Sequence, residues 1–228
     1  NSTDDTAGVV RRLMAVYPHL RYVFEGRQGL SHARNAGIAA ARAPVIAFTD
    51  DDVRAAPDWV ARILAAFDRH PEVDYIGGRV LPRWPSPPPR WLSSAHWAPL
   101  ALVDHGDFPF YCSSNRPICL VGACLAFRRS VFDRVGLFEA RFQRVKGGIG
   151  STEDHDLLLR VWRSAGLGLY RPDVAVAAEV QEERMTKAYH RRWHAGHGRF
   201  AAAMHRTGGP HAERRRPALD QRQRGADI

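Results

Sequence analysis

Two clusters of acidic side chains are the residues best suited to chemistry. The first is Asp50, Asp51 and Asp52, which follow directly on the apolar run 45–49. Ligands bind outside the carboxyl ends of strands in open α/β sheets, and adjacent carboxylates repel one another unless a cation neutralises them. Oxygen ligands of this kind suit Mg²⁺ or Mn²⁺, which bridge phosphate oxygens. The alternative interpretation is a solvated turn whose acidic residues favour the next helix.

The second cluster begins with Glu153 and Asp154, at the start of the predicted helix 152–165 and after a glycine-rich segment. A helix N-terminus stabilises negative charge and lowers the pKa of a carboxylate. An ionised carboxylate placed there can act as a general base that takes a proton from a hydroxyl group. Capping of the helix by Ser151 or Thr152 is the better interpretation on helix chemistry alone.

An alternation of helical and strand patterns positions the two clusters. Apolar residues recur at helical spacing or in short continuous runs, and proline and glycine separate these segments. The predicted helices are 6–17, 31–42, 57–67, 130–135, 152–165 and 185–205, and the predicted strands are 20–24, 45–49, 73–81, 118–127, 167–170 and 174–180. This order predicts an α/β sheet with crossover helices. The near-continuous apolar run 45–49 predicts a strand covered on both faces.

Residues 82–117 interrupt this alternation. The segment is rich in proline and tryptophan, and it is too long for an ordinary connection. Disordered segments usually lack aromatic residues, so the composition favours an ordered functional loop.

Composition fits a globular chain of 228 residues, with 45% hydrophobic and 25% charged residues. No uninterrupted apolar run reaches the roughly 20 residues of a membrane-spanning helix. The net charge is +9, and only two of the 33 basic residues, Lys146 and Lys187, are lysines. Heavy arginine usage is typical of GC-rich genomes and also of anion-binding proteins, and both explanations stay open.

The cysteines and the clustered histidines do not predict a metal site. The three cysteines, Cys112, Cys119 and Cys124, lack paired zinc-ligand spacing and are interpreted as reduced thiols in buried strands. Three histidines share the predicted helix 185–205 with arginines, on a surface expected to be exposed; they are His190, His194 and His197.

Five segments, in order, resemble the landmarks of family 2 glycosyltransferases with the GT-A fold. They are residues 1–6 (NSTDDT), 29–37 (GLSHARNAG), 48–52 (FTDDD), 122–123 (GA) and 153–157 (EDHDL). Each segment is a weak signal alone, but five in the right order over residues 1–180 are a strong one. The resemblance implies a Rossmann-like mixed sheet with flanking helices and a nucleotide-diphospho-sugar transferase activity.

The resemblance also implies how the first cluster works. Asp50 and Asp52 match the DXD motif, so that Asp52, with Asp50, would bind Mg²⁺ or Mn²⁺. The metal would hold the diphosphate of a nucleotide-sugar and neutralise the charge that builds up on this leaving group. Residues expected to bind the donor are Ser2, Asp4, Arg34, Asp50, Asp51, Gly122 and Ala123.

For the second cluster the resemblance implies acid–base chemistry. Asp154 matches the catalytic base, which would deprotonate an acceptor hydroxyl for in-line attack with inversion at the anomeric carbon. Glu153 would help to position the acceptor, a saccharide or a lipid-linked sugar. Trp91 and Trp97 lie in the segment where the family varies most, and either sugar stacking or loop packing accounts for them.

Three departures from the family pattern accompany the resemblance. The pattern begins with a strand, a helix and a second strand ending in an acidic residue, all before the segment that matches residue 1, so we expect the first strand to be absent. Residues 178–180 lack the histidine that often follows the late strand. Residues 189–193 resemble the QxxRW element of processive synthases without its glutamine. We therefore expect a glycosyltransferase domain over 1–183 and a basic helical extension over 184–228.

Other functions remain open on the sequence alone. An inactive glycosyltransferase fragment would keep the same motifs, whereas a nucleotidyltransferase would need a glycine-rich phosphate loop that is not visible. The basic C-terminus could bind nucleic acid or an anionic surface, although no base-reading motif is present. We expect a bacterial, cytoplasmic enzyme of polysaccharide biosynthesis that binds no specific nucleic acid and contacts membranes only peripherally, through this C-terminus.

Overall fold

The computed structural model describes residues 2–144 and 148–207, with side chains described up to residue 203. The arginine-rich tail and Lys146 lie outside these residues. The helices are α1 (Thr6–Met14), α2 (Leu30–Ala40), α3 (Trp59–Arg69), α4 (Arg129–Val135), α5 (Glu153–Arg163) and α6 (Lys187–Thr207). The strands are β1 (Val45–Phe48), β2 (Val53–Ala55), β3 (Tyr75–Arg83), β4 (Phe110–Cys112), β5 (Leu125–Arg128) and β6 (Gly168–Glu179).

The strands form one mixed sheet in the order β1-β5-β3-β6-β2, with β4 also paired to β6. Strands β3 and β6 are parallel, and the other pairs are antiparallel. Strand β6 is long enough to pair with β3 along one edge and with β4 and β2 at different points of the other. The predicted α/β architecture with flanking helices is confirmed.

Strand β6 joins two segments that were predicted as separate strands. Its register against β3 shifts between Gly78 and Arg79, which accommodates the residues between those segments. A Cβ atom on Gly78 would lie 1.6 Å from the carbonyl oxygen of Val174, so only glycine fits at this close approach of two backbones. The backbone that approaches Gly78 so closely is therefore that of the neighbouring strand β6.

The sheet is packed on both faces. On one face Trp59, Ile63 and Phe67 of α3 belong to a buried cluster with residues of β3 and β6. On the other, α4 and α5 pack against β5 in a second cluster that contains Tyr75 and Trp162. The Trp162 indole N–H donates to the Tyr75 hydroxyl at 2.8 Å, and Tyr75 has no exposed surface. The helix that carries the second acidic cluster is thereby fixed to the sheet.

Three strand predictions are wrong. Residues 20–24 form no strand and pair with none of the described strands. Strand β1 lies at an edge of the sheet, and among its residues only Ile46 is buried, so it is not covered on both faces. Residues 118–124 do not extend β5, because Gly122–Cys124 turn in a short 3₁₀ helix.

The N-terminal region contributes little to the core. None of the residues of α1 is buried. Eight large apolar side chains between residues 9 and 30 are exposed: Val9, Leu13, Met14, Val16, Tyr17, Val23, Phe24 and Leu30. Together with α1 and the edge strand β1, these side chains form a partly apolar surface. The described residues do not cover it.

The proline- and tryptophan-rich segment folds onto the sheet, as its aromatic content predicts. Two short 3₁₀ helices, Ser94–His96 and Ala98–Leu100, follow β3, and Val103 forms a bridge to Val80. Trp84, Trp91 and Trp97 pack against the first core cluster. No helix within residues 2–144 and 148–207 is both long enough and apolar enough to span a bilayer.

Replacing Tyr75 by phenylalanine tests the buried hydrogen bond that fixes α5. The Trp162 N–H would lose its acceptor inside the core, and we expect the free energy of unfolding to fall by about 1–3 kcal/mol. Urea denaturation measures this change. Tyr111→Phe is the control, since that hydroxyl donates to Glu72 at the surface and its loss should cost within about 0.5 kcal/mol. Equal losses in the two variants would contradict the role assigned to Tyr75.

Candidate active site

The first acidic cluster lies in the turn between β1 and β2. The Glu179 N–H donates to the Asp52 carbonyl at 2.9 Å, so that this turn is attached to the end of β6. Asp51 is exposed, whereas Asp50 and Asp52 are partly buried. The carboxylates of Asp50 and Asp52, which alternate along the backbone, are therefore partly shielded from solvent by the protein.

The second cluster lies in the first turn of α5. Glu153 is almost fully buried, and Asp154 is partly exposed. The Gly122 N–H donates to Asp154 Oδ2 at 2.9 Å, which fixes one oxygen of this carboxylate. The irregular backbone at Gly122–Cys124 places that N–H, and a Cβ on Gly122 would collide with both Arg34 and Asp154. Glycine at this position is explained by the packing of the two charged groups.

The buried guanidinium of Arg34 joins the two acidic clusters. It forms an ion pair with Asp154 Oδ1 and another with Glu153 at 3.3 Å. Its Nη2 lies 3.8 Å from Asp50 Oδ1. Burial opposes the charged form of Arg34, but the attraction of Asp154, Glu153 and Asp50 is stronger and raises its pKa. One cation thus holds carboxylates that are more than 100 residues apart in the sequence.

The neighbours of α2 keep Arg34 in place. The Arg34 guanidinium lies 5.2 Å from the centre of the Phe138 ring. Asn35 makes two hydrogen bonds with the Phe138 backbone, at 2.9 and 3.0 Å. At the start of α2, the Ser31 N–H donates to the side chain of Gln143 at 2.8 Å. These contacts connect α2 to the chain that precedes α5.

The carboxylates near Arg34 have shifted acidities. Burial raises the pKa of Asp50, Arg34 lowers it, and the neighbouring carboxylates Asp154, Asp52 and Asp51 raise it further. Burial and the adjacent Asp154 likewise raise the pKa of Glu153 above its ordinary value. The negative charge in this region therefore exceeds what one guanidinium neutralises, which favours the binding of a further cation.

A cavity of about 560 Å³ adjoins the second cluster. Its lining includes Glu153, Asp154 and Trp97, together with Trp193 and His197 of α6. Among the described residues that line it there is no lysine or arginine. Two polar atoms of this lining are buried without a hydrogen-bond partner, Thr152 Oγ1 and Glu153 Oε2. Both atoms have almost no accessible surface, so that contact with a ligand in the cavity would require their side chains to move.

The residues of the first cluster fit a divalent cation only if a ligand completes its shell. No group of three or more potential ligating side chains is found within residues 2–144 and 148–207. Asp50 and Asp52 offer two carboxylates, and Mg²⁺ or Mn²⁺ commonly takes one or two carboxylates together with substrate phosphates. The donor set therefore suits a metal that binds with a diphosphate.

The remaining residues predicted to bind the donor are spread out. Ser2 and Asp4 are exposed, and Asp4 accepts hydrogen bonds from the backbone N–H and the hydroxyl of Thr6, two residues further on, which is an Asx-turn arrangement. These bonds lower the pKa of Asp4. Gly122 contacts Asp154, and Ala123 is buried in the core. Their roles in donor binding stay predictions.

The two tryptophans predicted to bind the acceptor occupy different places. Trp97 lines the cavity. Trp91 lies outside that lining, with its ring edge-on to His190 at 5.0 Å. His190 is buried, contrary to the expectation that the histidines of α6 are exposed. The structure therefore favours contact with a ligand in the cavity as the role of Trp97, and packing within the loop as the role of Trp91.

Four residues at the site were not predicted from the sequence: Asn35, Gln143, Trp193 and His197. Asn35 lies next to Arg34 in a matched motif, and that position was a signal for its role. Gln143 and His197 reach the site through long-range packing, and neither periodicity nor spacing marks them, whereas Trp193 ends the stretch that resembles the QxxRW element.

A mixed α/β sheet with helices packed on both faces is the architecture of the GT-A fold. The sequence model of glycosyl transferase family 2 matches residues 1–136. The chain belongs to this family.

A curated relative is the glucosyl-dolichyl phosphate glucuronosyltransferase of Haloferax volcanii. It is 25% identical over 140 residues, which are 61% of this chain and 44% of the relative. The chain therefore spans less than half the length of this relative.

Solved structures share the fold. The mannosyltransferase PcManGT of Pyrobaculum calidifontis, in complex with GDP-Man and Mn²⁺, superposes with a TM-score of 0.61 at 23% identity, over 91% of this chain and 53% of that one. GalNAc-T7 with UDP, GalNAc and Mn²⁺ gives 0.58 at 17% identity, over 86% and 40%. TarS of S. aureus gives 0.57 at 16% identity, over 78% and 49%.

Replacing Arg34 by methionine would leave three carboxylates without their shared cation. We expect the free energy of unfolding to fall by about 3–5 kcal/mol at pH 7, because uncompensated buried charge is costly. Without Arg34 the pKa of Glu153 rises further, so the folded state binds protons more tightly than the unfolded one. Stability then falls as pH rises through that pKa, and acidification recovers it.

Urea denaturation at pH 7 and pH 5 measures both effects in the Arg34→Met variant. The deficit relative to the parent chain should be smaller at pH 5. Arg12→Met is the control, since Arg12 pairs with Asp5 on the exposed surface and should contribute about 1 kcal/mol or less. A deficit that does not change with pH would contradict the electrostatic explanation.

Proposed function

We propose that this chain transfers a sugar from a nucleotide-diphosphate donor to an acceptor hydroxyl, with inversion and with a divalent metal. The observation that carries this proposal is the position of Arg34, whose guanidinium contacts Asp154 on one side and Asp50 on the other. A base for the acceptor, which lines the cavity, and a carboxylate for the donor side are thereby held by one guanidinium.

Asp154 is the proposed general base. One of its oxygens pairs with Arg34 and the other accepts from the Gly122 N–H. Each carboxylate oxygen has two lone pairs, so that these contacts leave sites that can accept a proton from an acceptor hydroxyl. The deprotonated oxygen can then attack the anomeric carbon directly, so that one displacement inverts its configuration.

Asp52 and Asp50 are the proposed metal ligands. Mg²⁺ or Mn²⁺ bound there would neutralise the charge that develops on the diphosphate leaving group. Burial and the neighbouring carboxylates raise the pKa of Asp50, and a bound cation would relieve that repulsion. The solved relatives PcManGT and GalNAc-T7, which contain Mn²⁺ beside a nucleotide, support it at the level of the fold.

The cavity supports a saccharide as the acceptor. Its apolar and aromatic lining, Trp97 included, suits the face of a sugar ring, and Glu153 belongs to the same lining. The lining contains no lysine or arginine among the residues described, so we propose that the part bound here is uncharged. A lipid phosphate on the acceptor, as the name of the Haloferax relative implies for that protein, would lie outside the cavity.

Two further expectations stay predictions. The division into 1–183 and 184–228 is one, although α6 of the second segment contributes side chains to the cavity. Peripheral membrane contact is the other. Arg191 and Arg192 of α6 are exposed, whereas the arginine-rich tail lies outside the described residues.

Binding of a nucleotide-sugar in the presence of Mn²⁺ tests the donor side. We expect calorimetry with GDP-mannose and UDP-glucose to detect binding of one donor, and Asp52→Ala to weaken it at least about tenfold because a metal ligand is lost. Asp68→Ala, an exposed change on α3, is the control. Salt-sensitive binding to DNA without nucleotide-sugar binding would favour the basic C-terminus as the functional part. A chain that binds neither a nucleotide-sugar nor DNA would favour an inactive fragment.

Replacing Asp154 by asparagine tests the base. We expect the rate of donor turnover to fall by about 10²–10⁴-fold while donor affinity stays within about twofold, since general-base catalysis contributes on that scale. Release of nucleoside diphosphate measures turnover. Asp156→Asn is the matched control: Asp156 lies in the same turn of α5 but pairs with Arg160. Equal losses in both variants would show that the helix start, and not the base, had been disturbed.

A further inference from the structure

Helix α6 forms part of the wall of the cavity that contains Asp154. Trp193 and His197, one turn apart on this helix, both line the cavity. Their rings are stacked, with centroids 4.4 Å apart and an interplanar angle of 11°. Neither residue falls in the part of the chain that the family model matches, residues 1–136.

The backbone of α6 touches the turn that leads into α5. A Cβ on Gly196 would lie 2.0 Å from the carbonyl oxygen of Ile149, and a Cβ on Gly150 would lie 2.6 Å from the backbone nitrogen of His197. Gly150 also has a φ of 79°, a conformation that favours glycine. A glycine from each segment therefore permits a contact that no other residue would allow without movement.

His197 reaches the same turn through its side chain. Its Nδ1 lies 3.1 Å from the Ser151 carbonyl oxygen, so that a protonated Nδ1 donates a hydrogen bond to it. Ser151 stands two residues before Glu153 and three before Asp154. The orientation of this carbonyl is thus coupled to the start of α5 and to the carboxylates there.

Helix α6 is itself anchored away from the turn. Tyr189 is buried, and its hydroxyl donates to the Pro99 carbonyl at 3.4 Å. His190 is buried beside Trp91. The helix is therefore attached to the tryptophan-rich segment at one end and to the turn at Gly150 further along.

We propose that α6 positions the base. In this proposal His197 is a positioning residue, which holds residues 148–152 through the Ser151 carbonyl and so fixes the direction of Asp154 toward the acceptor. The contact of Gly196 with Ile149 sets the distance between helix and turn. The proposal rests on the proposed function for its effect on catalysis, but its structural part needs no substrate.

Gly196→Ala and Gly198→Ala form the matched pair that tests the proposal. The first places a methyl group against the Ile149 carbonyl, whereas nothing lies within 4 Å of a Cβ at Gly198. We expect amide hydrogen exchange in residues 148–152 to become about tenfold or more faster in Gly196→Ala only. Equal exchange in these residues in the two variants, with the urea midpoint unchanged, would overturn the proposal.

Two changes at His197 separate the hydrogen bond from the ring. Asn places an amide N–H near the position of Nδ1, whereas Phe keeps a stacked ring without a donor. We expect His197→Phe to lower turnover of the bound nucleotide-sugar by about 10–100-fold with its KM unchanged, because small displacements of a base are costly. His197→Asn should restore most of that rate. Equal loss in both variants, or a change in KM alone, would contradict a positioning role.

The two proposals fail in different ways. A parent chain that binds no nucleotide-sugar with Mn²⁺ refutes the proposed function, and the exchange measurement still decides whether α6 holds the turn. A parent chain that binds and turns over the donor, with exchange and rate unaffected by Gly196→Ala and His197→Phe, keeps the proposed function and overturns the role of α6.

Discussion

The site depends on one buried cation. Arg34 balances Asp154, Glu153 and Asp50, and without it three carboxylates would share a poorly solvated region. Replacing one partner of such a buried network costs far more than a surface ion pair does. The surrounding residues hold this group in place. Phe138 covers the guanidinium, Asn35 binds the Phe138 backbone, and Gly122 leaves room for the contact between Arg34 and Asp154. Geometry and charge at the two clusters are therefore determined together.

The same arrangement explains the division of labour between the carboxylates. Asp154 has each oxygen engaged by one donor, and each oxygen keeps a lone pair that can accept a proton. Glu153 is more deeply buried, has one oxygen without a partner, and has a raised pKa. Asp50 lies near the other terminal nitrogen of Arg34, and we propose that Asp50 and Asp52 bind a metal. Surroundings that differ over a few ångströms therefore give chemically similar carboxylates different contacts and acidities.

Helix α6 lies outside residues 1–136, which the family model matches, but its side chains form part of the site. Its sequence is basic and histidine-rich, which predicts an exposed surface helix, yet His190 is buried and Trp193 and His197 line the cavity. The cause is backbone contact: Gly196 and Gly150 allow the helix to approach the turn before α5 closely enough for side chains to reach the cavity. The periodicity of α6 does not reveal which partner its faces will meet.

Sequence alone determined the helices and most strands, because apolar spacing, proline and glycine act locally. It also determined both acidic clusters, because the motifs occur in the expected order along the chain. It did not determine that residues 20–24 would lack a strand partner or that β1 would lie at an edge, since pairing depends on which strands are present to pair. The ion pairs of Arg34, the cavity and the approach of α6 are contacts over long sequence separations. Only the tertiary structure decided them, because their energies depend on distance and burial rather than on residue type.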